Sequence, residues 1–154
     1  MLLKTLLTIH ILGVIIWIGF GLYELLLSRE IRQARGTAVE IALIRISTRY
    51  GGIIALATLV VAATGVLMVI SLGWNFFQHL WLDILQAIML AILLDMAWLT
   101  PTFRRAFKEV KALPDIPGPE LVQCRETIAK IHTHVLLMRI GAVVAVGVAV
   151  FKPL

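Results

Sequence analysis

A stretch near the start of the chain places several chemically capable side chains on one helical face. His10, Trp17 and Glu24 recur every seven residues. Gly13 falls on the same stripe, and the surrounding sequence, HILGVIIWIG, is apolar enough to enter a bilayer. A stripe of polar and small residues in such a helix should face protein rather than lipid. His10 is therefore a candidate ligand, because a neutral imidazole can bind haem iron or copper in apolar surroundings.

Small residues in the second apolar stretch could admit a close neighbour. Thr58, Ala62 and Gly65 follow one another at spacings of four and three. The pattern is typical of ordinary helix packing, and it would also let a flat cofactor approach the backbone. Gly65 is thus a second candidate for contact with a cofactor at His10.

Ionisable residues also occur in the third and fourth apolar stretches. The third opens with His79 and Asp83, and the fourth carries Arg139. A charge inside a membrane span costs about 2.5–3.5 kcal/mol on insertion scales, so Arg139 needs a partner. We expect it to pair with Glu24 or Asp95, or to hold an anion such as a haem propionate.

The composition places these residues in a membrane. The chain has 154 residues, of which 60% are hydrophobic and 15% charged, and its mean hydropathy is +0.98. Four stretches reach the length of about 20 residues that crosses a bilayer, namely 2–27, 51–72, 80–99 and 135–151. We predict a single all-α domain, an integral membrane four-helix bundle with antiparallel neighbours.

The distribution of basic residues predicts the orientation. Segments 28–50 and 100–134 are rich in lysine and arginine, whereas GWNFFQH between the second and third stretches has neither. By the positive-inside rule both basic segments are cytoplasmic loops and both termini face outward. Proline and glycine in KALPDIPGPE, residues 111–120, end any helix that continues from the third stretch, and short amphipathic helices are expected along the inner surface on either side.

The net charge of +5 is explained by this topology. Basic loops beside membrane helices serve orientation and contact with anionic headgroups, and no nucleic-acid motif is present. The expected surroundings are a lipid bilayer, with a homo-oligomer or a larger membrane complex as the open alternatives for protein partners.

The depths of the polar residues limit how they can combine. At 1.5 Å per residue, Asp83 is nearly level with His10 if the spans are centred, and His79 lies roughly 10 Å nearer the outer surface. Haem with a single imidazole ligand fits this arrangement more easily than haem between two level histidines. Copper bound by His10, His79 and Asp83 is an alternative, and in a third interpretation the polar groups only hold helices together and no cofactor binds.

The first stretch also resembles a known family. LKTLLTIHILGVIIWIGFGLY, with its H-x6-W-x-G pattern, is similar to the first helix of a bacterial superfamily that includes CopD domains and the HemJ-type protoporphyrinogen oxidase. VAVGVAVFKPL resembles the close of the HemJ-type last helix. By this resemblance His10 matches the family histidine, Trp17 the tryptophan, and Lys152 with Pro153 the terminal pair.

The resemblance implies a haem-b-binding redox protein of the bacterial inner membrane, multi-pass, and an oxidoreductase if it is an enzyme. HemJ-type proteins bind haem b and are implicated in oxidising protoporphyrinogen IX. His10 would be the axial ligand, Trp17 would lie against the ring edge, Gly13 and Gly65 would give room, and Arg139 would hold a propionate. The chain departs from the HemJ pattern at two points. The lysine that usually follows the third-helix tryptophan is absent, and Asp95 occupies about the position where HemJ-type proteins often have a histidine.

Overall fold

A computed structural model describes residues 1–75 and 79–151, and this part of the chain forms four long helices and no strand. The helices are α1 (Leu2–Gln33), α2 (Ala38–Ser71), α3 (Leu80–Ala112) and α4 (Pro119–Phe151). All four are long and apolar enough to cross a membrane. The prediction of an all-α four-helix membrane bundle is confirmed, and the chain is a multi-pass membrane protein. The terminal pair Lys152 and Pro153 lies outside the described residues.

Each helix extends beyond the apolar stretch that hydropathy marks. Residues 28–33 continue α1, 38–50 open α2, 100–112 continue α3 and 119–134 open α4. The two segments predicted as loops are therefore mainly helical, and the expected surface helices are continuous with α3 and α4. The difference arises because hydropathy identifies only the part of a helix that meets hydrocarbon. The polar extensions stay helical because they pack against one another.

The bundle consists of two antiparallel helical hairpins. α1 packs mainly on α2, and α3 mainly on α4, while the contacts of α2 with α3 and of α1 with α4 are smaller. The first hairpin turns tightly at Gly36, whose φ of 84° lies in the left-handed region. Thr37 then caps α2 by accepting a hydrogen bond from the Glu40 backbone N–H.

Two buried clusters join the hairpins. The middle cluster takes one side chain from each helix, namely Trp17, Ala57, Ile92 and Ala142. The turn-end cluster lies beside the two hairpin turns and comprises Ile41, Ile44, Val110, Leu113, Leu121 and Cys124. Many large apolar side chains remain exposed on the outside, as expected of a protein whose surface faces lipid.

Candidate cofactor site and polar contacts of the bundle

His10 lies half-buried against α2. Its Nδ1 is 2.9 Å from the hydroxyl oxygen of Thr64. That hydroxyl is also 2.6 Å from the carbonyl oxygen of Val60, one turn back in α2, and donates its proton there. The Thr64 oxygen therefore accepts from His10, which assigns the ring proton to Nδ1 and the lone pair to Nε2. An imidazole in this tautomer can bind a metal through Nε2.

The two candidate glycines serve contacts between α1 and α2. A Cβ atom at Gly13 would lie 2.9 Å from the Cγ2 of Val61, and one at Gly65 would lie 3.5 Å from the Cε1 of His10. Gly13 thus lets the two helices approach closely, and Gly65 accommodates the imidazole itself. The space that we expected these glycines to leave for a cofactor is filled by Val61 and by the His10 ring.

Trp17 lies in the middle cluster, with only 8% of its surface exposed. It follows His10 by seven positions, which is about 10 Å along α1. Its neighbours are Ala57, Ile92 and Ala142, one from each of the other helices. Trp17 therefore fills the bundle interior between the level of His10 and the hairpin turns.

Arg139 pairs with Glu24, one of the two partners that the sequence predicted. Its Nη2 donates to the Glu24 carboxylate, and its Cδ lies 3.7 Å from the position of a Cβ on Gly21. Among the described residues its buried Nη1 has no hydrogen-bond partner. Glu24 is about 21 Å further along α1 than His10. This distance places the guanidinium beyond the propionates of a haem whose iron binds His10.

The remaining proposed metal ligands lie elsewhere. His79 precedes the first turn of α3, is exposed, and packs in an aromatic cluster with Trp74 and Trp81, with ring centroids 5.4 and 6.2 Å away. Asp83 lies in the first turn of α3, is half-buried and directly follows the buried Leu82.

The described part of the chain gathers no three His, Cys, Asp or Glu side chains as a metal ion would require. The structure therefore does not bring His10, His79 and Asp83 together.

A contact between a histidine and a carboxylate was missed from the sequence. His134 Nδ1 lies 2.8 Å from Asp95 Oδ1, joining α4 to α3. The sequence offered Asp95 as a partner of Arg139 and gave no partner for His134. The missing information was the start of α4: once His134 is helical, it lies one turn from Ile131, which packs in the same cluster as Leu99.

A buried ion pair near the turns was also missed. Glu40 is 1% exposed and accepts hydrogen bonds of 2.5 Å each from Nε and Nη2 of Arg125. It also accepts one of 2.7 Å from the backbone N–H of Gly36. The Arg125 hydrogen bonds hold the pKa of the Glu40 carboxyl below its usual value in spite of burial. This pair, hereafter the turn-end ion pair, ties the first hairpin turn to α4.

Arg45 and Cys124 complete this end of the bundle. Arg45 donates hydrogen bonds of 2.7 Å to the Asp115 carboxylate and to the Leu113 carbonyl, so α2 is attached to the second hairpin turn. Cys124 is buried, and burial raises the pKa of its thiol to about 11. The thiol therefore stays protonated and unreactive near neutral pH.

Comparison with known proteins returned no family model, no curated protein and no solved structure that matches the chain. The structure itself defines the class: a multi-pass, all-α, four-helix membrane protein whose apolar helices indicate a lipid bilayer as its surroundings.

Proposed function

We propose that this chain is a redox protein of the bacterial inner membrane that binds one haem b through His10. The observation that carries the proposal is the hydrogen bond between His10 Nδ1 and Thr64. Metal-bound histidines almost always donate their other ring N–H to an oxygen, which fixes the ring and its tautomer. The resemblance of the first helix to CopD and HemJ-type proteins points to the same histidine.

The residues around His10 suit haem in their chemistry. The imidazole is neutral in the tautomer assigned above, and the helices on either side are apolar, so no charge has to be buried with the ligand. The clusters that join the two hairpins lie at the level of Trp17 and toward the turns. A planar group bound by His10 would have to lie between the hairpins on the other side of Trp17, next to the buried Leu6 and Leu82.

Each residue has a distinct part in this proposal. A bound haem b supplies one-electron transfer. Thr64 orients the imidazole, and Gly65 gives the ring its place against α2. Trp17 and its cluster exclude water from the middle of the bundle. Arg139 has no part at the haem, because it is paired with Glu24 deeper in the bundle.

A structural or accessory subunit without a cofactor is the second candidate. It is favoured by the filled spaces at Gly13 and Gly65, which make His10 a polar link between α1 and α2. Such a subunit would act by holding a second copy or a larger membrane complex. Copper handling has no comparable support, since among the described residues His79 and Asp83 do not gather with His10.

Absorption spectroscopy of the detergent-purified full chain separates the two candidates. The protein is expressed with ample haem supply, spectra are recorded before and after dithionite reduction, and iron and copper are quantified on the same sample. A b-type spectrum with about one iron per chain supports the haem proposal. A colourless protein without metal supports the structural role, and stoichiometric copper without haem contradicts both.

A further inference from the structure

A groove of about 500 Å³ runs along the outer face of α3. It is lined by Ala97, Thr100, Pro101, Arg104, Arg105 and Lys108. These residues are exposed and share one helix face, whereas Leu99, Ala106 and Val110 are buried on the packed face. The groove therefore opens away from the bundle.

The groove spans the boundary between the apolar and the charged parts of α3. The preceding residues on the same face, Leu90, Leu94 and Trp98, are 58%, 63% and 78% exposed. They form an apolar path that ends in an indole, which is typical of the membrane surface. The cations at Arg104, Arg105 and Lys108 follow within ten residues, at the end of the bundle that carries the hairpin turns.

The cations of the groove differ in their availability. Arg105 is paired with Glu109 at 2.9 Å. Arg104 and Lys108 have no ion pair within the part of the chain that the structure describes, and both are exposed. Two positive charges on adjacent turns of one face are thus free to bind an anion.

Pro101 adds a hydrogen-bond acceptor to the same groove. Proline has no backbone N–H, so the carbonyl of Ala97, four residues earlier in α3, loses its usual helical donor. The Thr100 hydroxyl donates to the carbonyl of Met96 at 2.9 Å, which leaves its oxygen able to accept. The groove therefore offers cations on one side and oxygen acceptors on the other.

We propose that this groove is a binding site for an anionic glycerophospholipid of the inner leaflet. Arg104 and Lys108 bind the phosphate, as basic clusters next to membrane spans do. The Ala97 carbonyl accepts a hydrogen bond from a headgroup hydroxyl that folds back from the phosphate toward the membrane, as the flexible glycerol headgroup of phosphatidylglycerol can do. An acyl chain then lies along the apolar path over Leu94 and Leu90. This proposal does not depend on whether a haem is bound.

Spin-labelled lipids test the site in the full chain reconstituted in phosphatidylcholine vesicles. Electron paramagnetic resonance gives the association of labelled phosphatidylglycerol relative to labelled phosphatidylcholine. We expect a several-fold preference for phosphatidylglycerol. In the double variant Arg104→Ser/Lys108→Ser most of the preference should be lost, leaving only the part that the other basic residues contribute. The matched control is Arg29→Ser/Arg49→Ser, which removes two exposed arginines of α1 and α2 and should keep the preference.

Three results would overturn the proposal. The first is a wild type without preference, and the second is an equal loss in both double variants, which would mean a general effect of charge. The third is release of the labelled lipid by millimolar inorganic phosphate, which would make the groove a site for free anions. Circular dichroism of both variants checks that the bundle is intact.

Discussion

His10 and Thr64, which are 54 positions apart in the chain, are joined by a 2.9 Å hydrogen bond between α1 and α2. Because the Thr64 hydroxyl donates to its own helix at Val60, it receives the ring proton of His10. The contact therefore fixes which helices are adjacent at this level and leaves Nε2 as the nitrogen that can bind a metal. The two candidate functions differ in whether Nε2 of His10 binds a metal.

Replacing Thr64 tests the role of this contact in haem binding. Thr64→Val keeps the shape of the side chain but removes the acceptor, so the orientation of His10 is lost. We expect haem affinity to fall about 10- to 100-fold, as for other partners of metal-bound histidines. Thr64→Ser keeps the hydroxyl and should bind as the wild type does. The measurement is a haem titration of the apoprotein in detergent. Equal affinity in the wild type and Thr64→Val would remove Thr64 from the site.

The turn-end ion pair should contribute strongly to stability. Arg125→Ala leaves the Glu40 carboxylate buried without its main partner, which typically costs about 3–5 kcal/mol. Arg105→Ala is the control, because it breaks an exposed i,i+4 pair with Glu109, a kind worth under about 1 kcal/mol. Denaturant unfolding in detergent measures both free energies. Similar small losses in the two variants would show that the buried pair is unimportant.

The same pair predicts a dependence on pH. The pKa of Glu40 is lowered in the folded chain, so its contribution to stability is complete above the pKa of about 4.3 of an unfolded glutamate. The contribution is lost as the pH falls from there through the folded pKa. Glu40→Gln should therefore be less stable than the wild type at pH 7, and the difference should narrow in acid. Unfolding temperatures between pH 7 and pH 3 measure this, and a constant difference would argue against it.

Close packing of α1 on α2 should depend on Gly13. In Gly13→Ala the new methyl group would lie 2.9 Å from Val61, whose branched side chain is stiff in a helix. We expect a loss of about 1–3 kcal/mol in the free energy of unfolding. Val61→Ala in the same chain should restore part of it. Gly19→Ala is the control, because a Cβ there meets no atom within 4 Å. If Gly19→Ala lost as much free energy of unfolding as Gly13→Ala, the cause would lie within α1 and not in its contact with α2.

The sequence predicted the four helices and their antiparallel order, and it named Glu24 as one of two carboxylates that could pair with Arg139. These features follow from hydrophobic length and from the cost of a lone charge in a membrane. The turn-end ion pair was not predicted, because Glu40 and Arg125 fall in segments too polar to be marked as membrane helix. Their 85-residue separation also gives no local signal. The contact of His134 with Asp95 was also missed, because His134 lies just outside the predicted span 135–151 and its partner depends on how α3 and α4 pack.

The role of His10 is the central claim, and it is tested most directly by the haem content of two histidine variants. His10→Ala and His134→Ala each remove a half-buried imidazole whose Nδ1 is hydrogen-bonded to an oxygen on a neighbouring helix. Both are purified beside the wild type, and haem per chain is determined from the reduced spectrum in pyridine. We expect about one haem per chain in the wild type and in His134→Ala, and none in His10→Ala. Haem retained in His10→Ala, or absent from all three proteins, would contradict the claim.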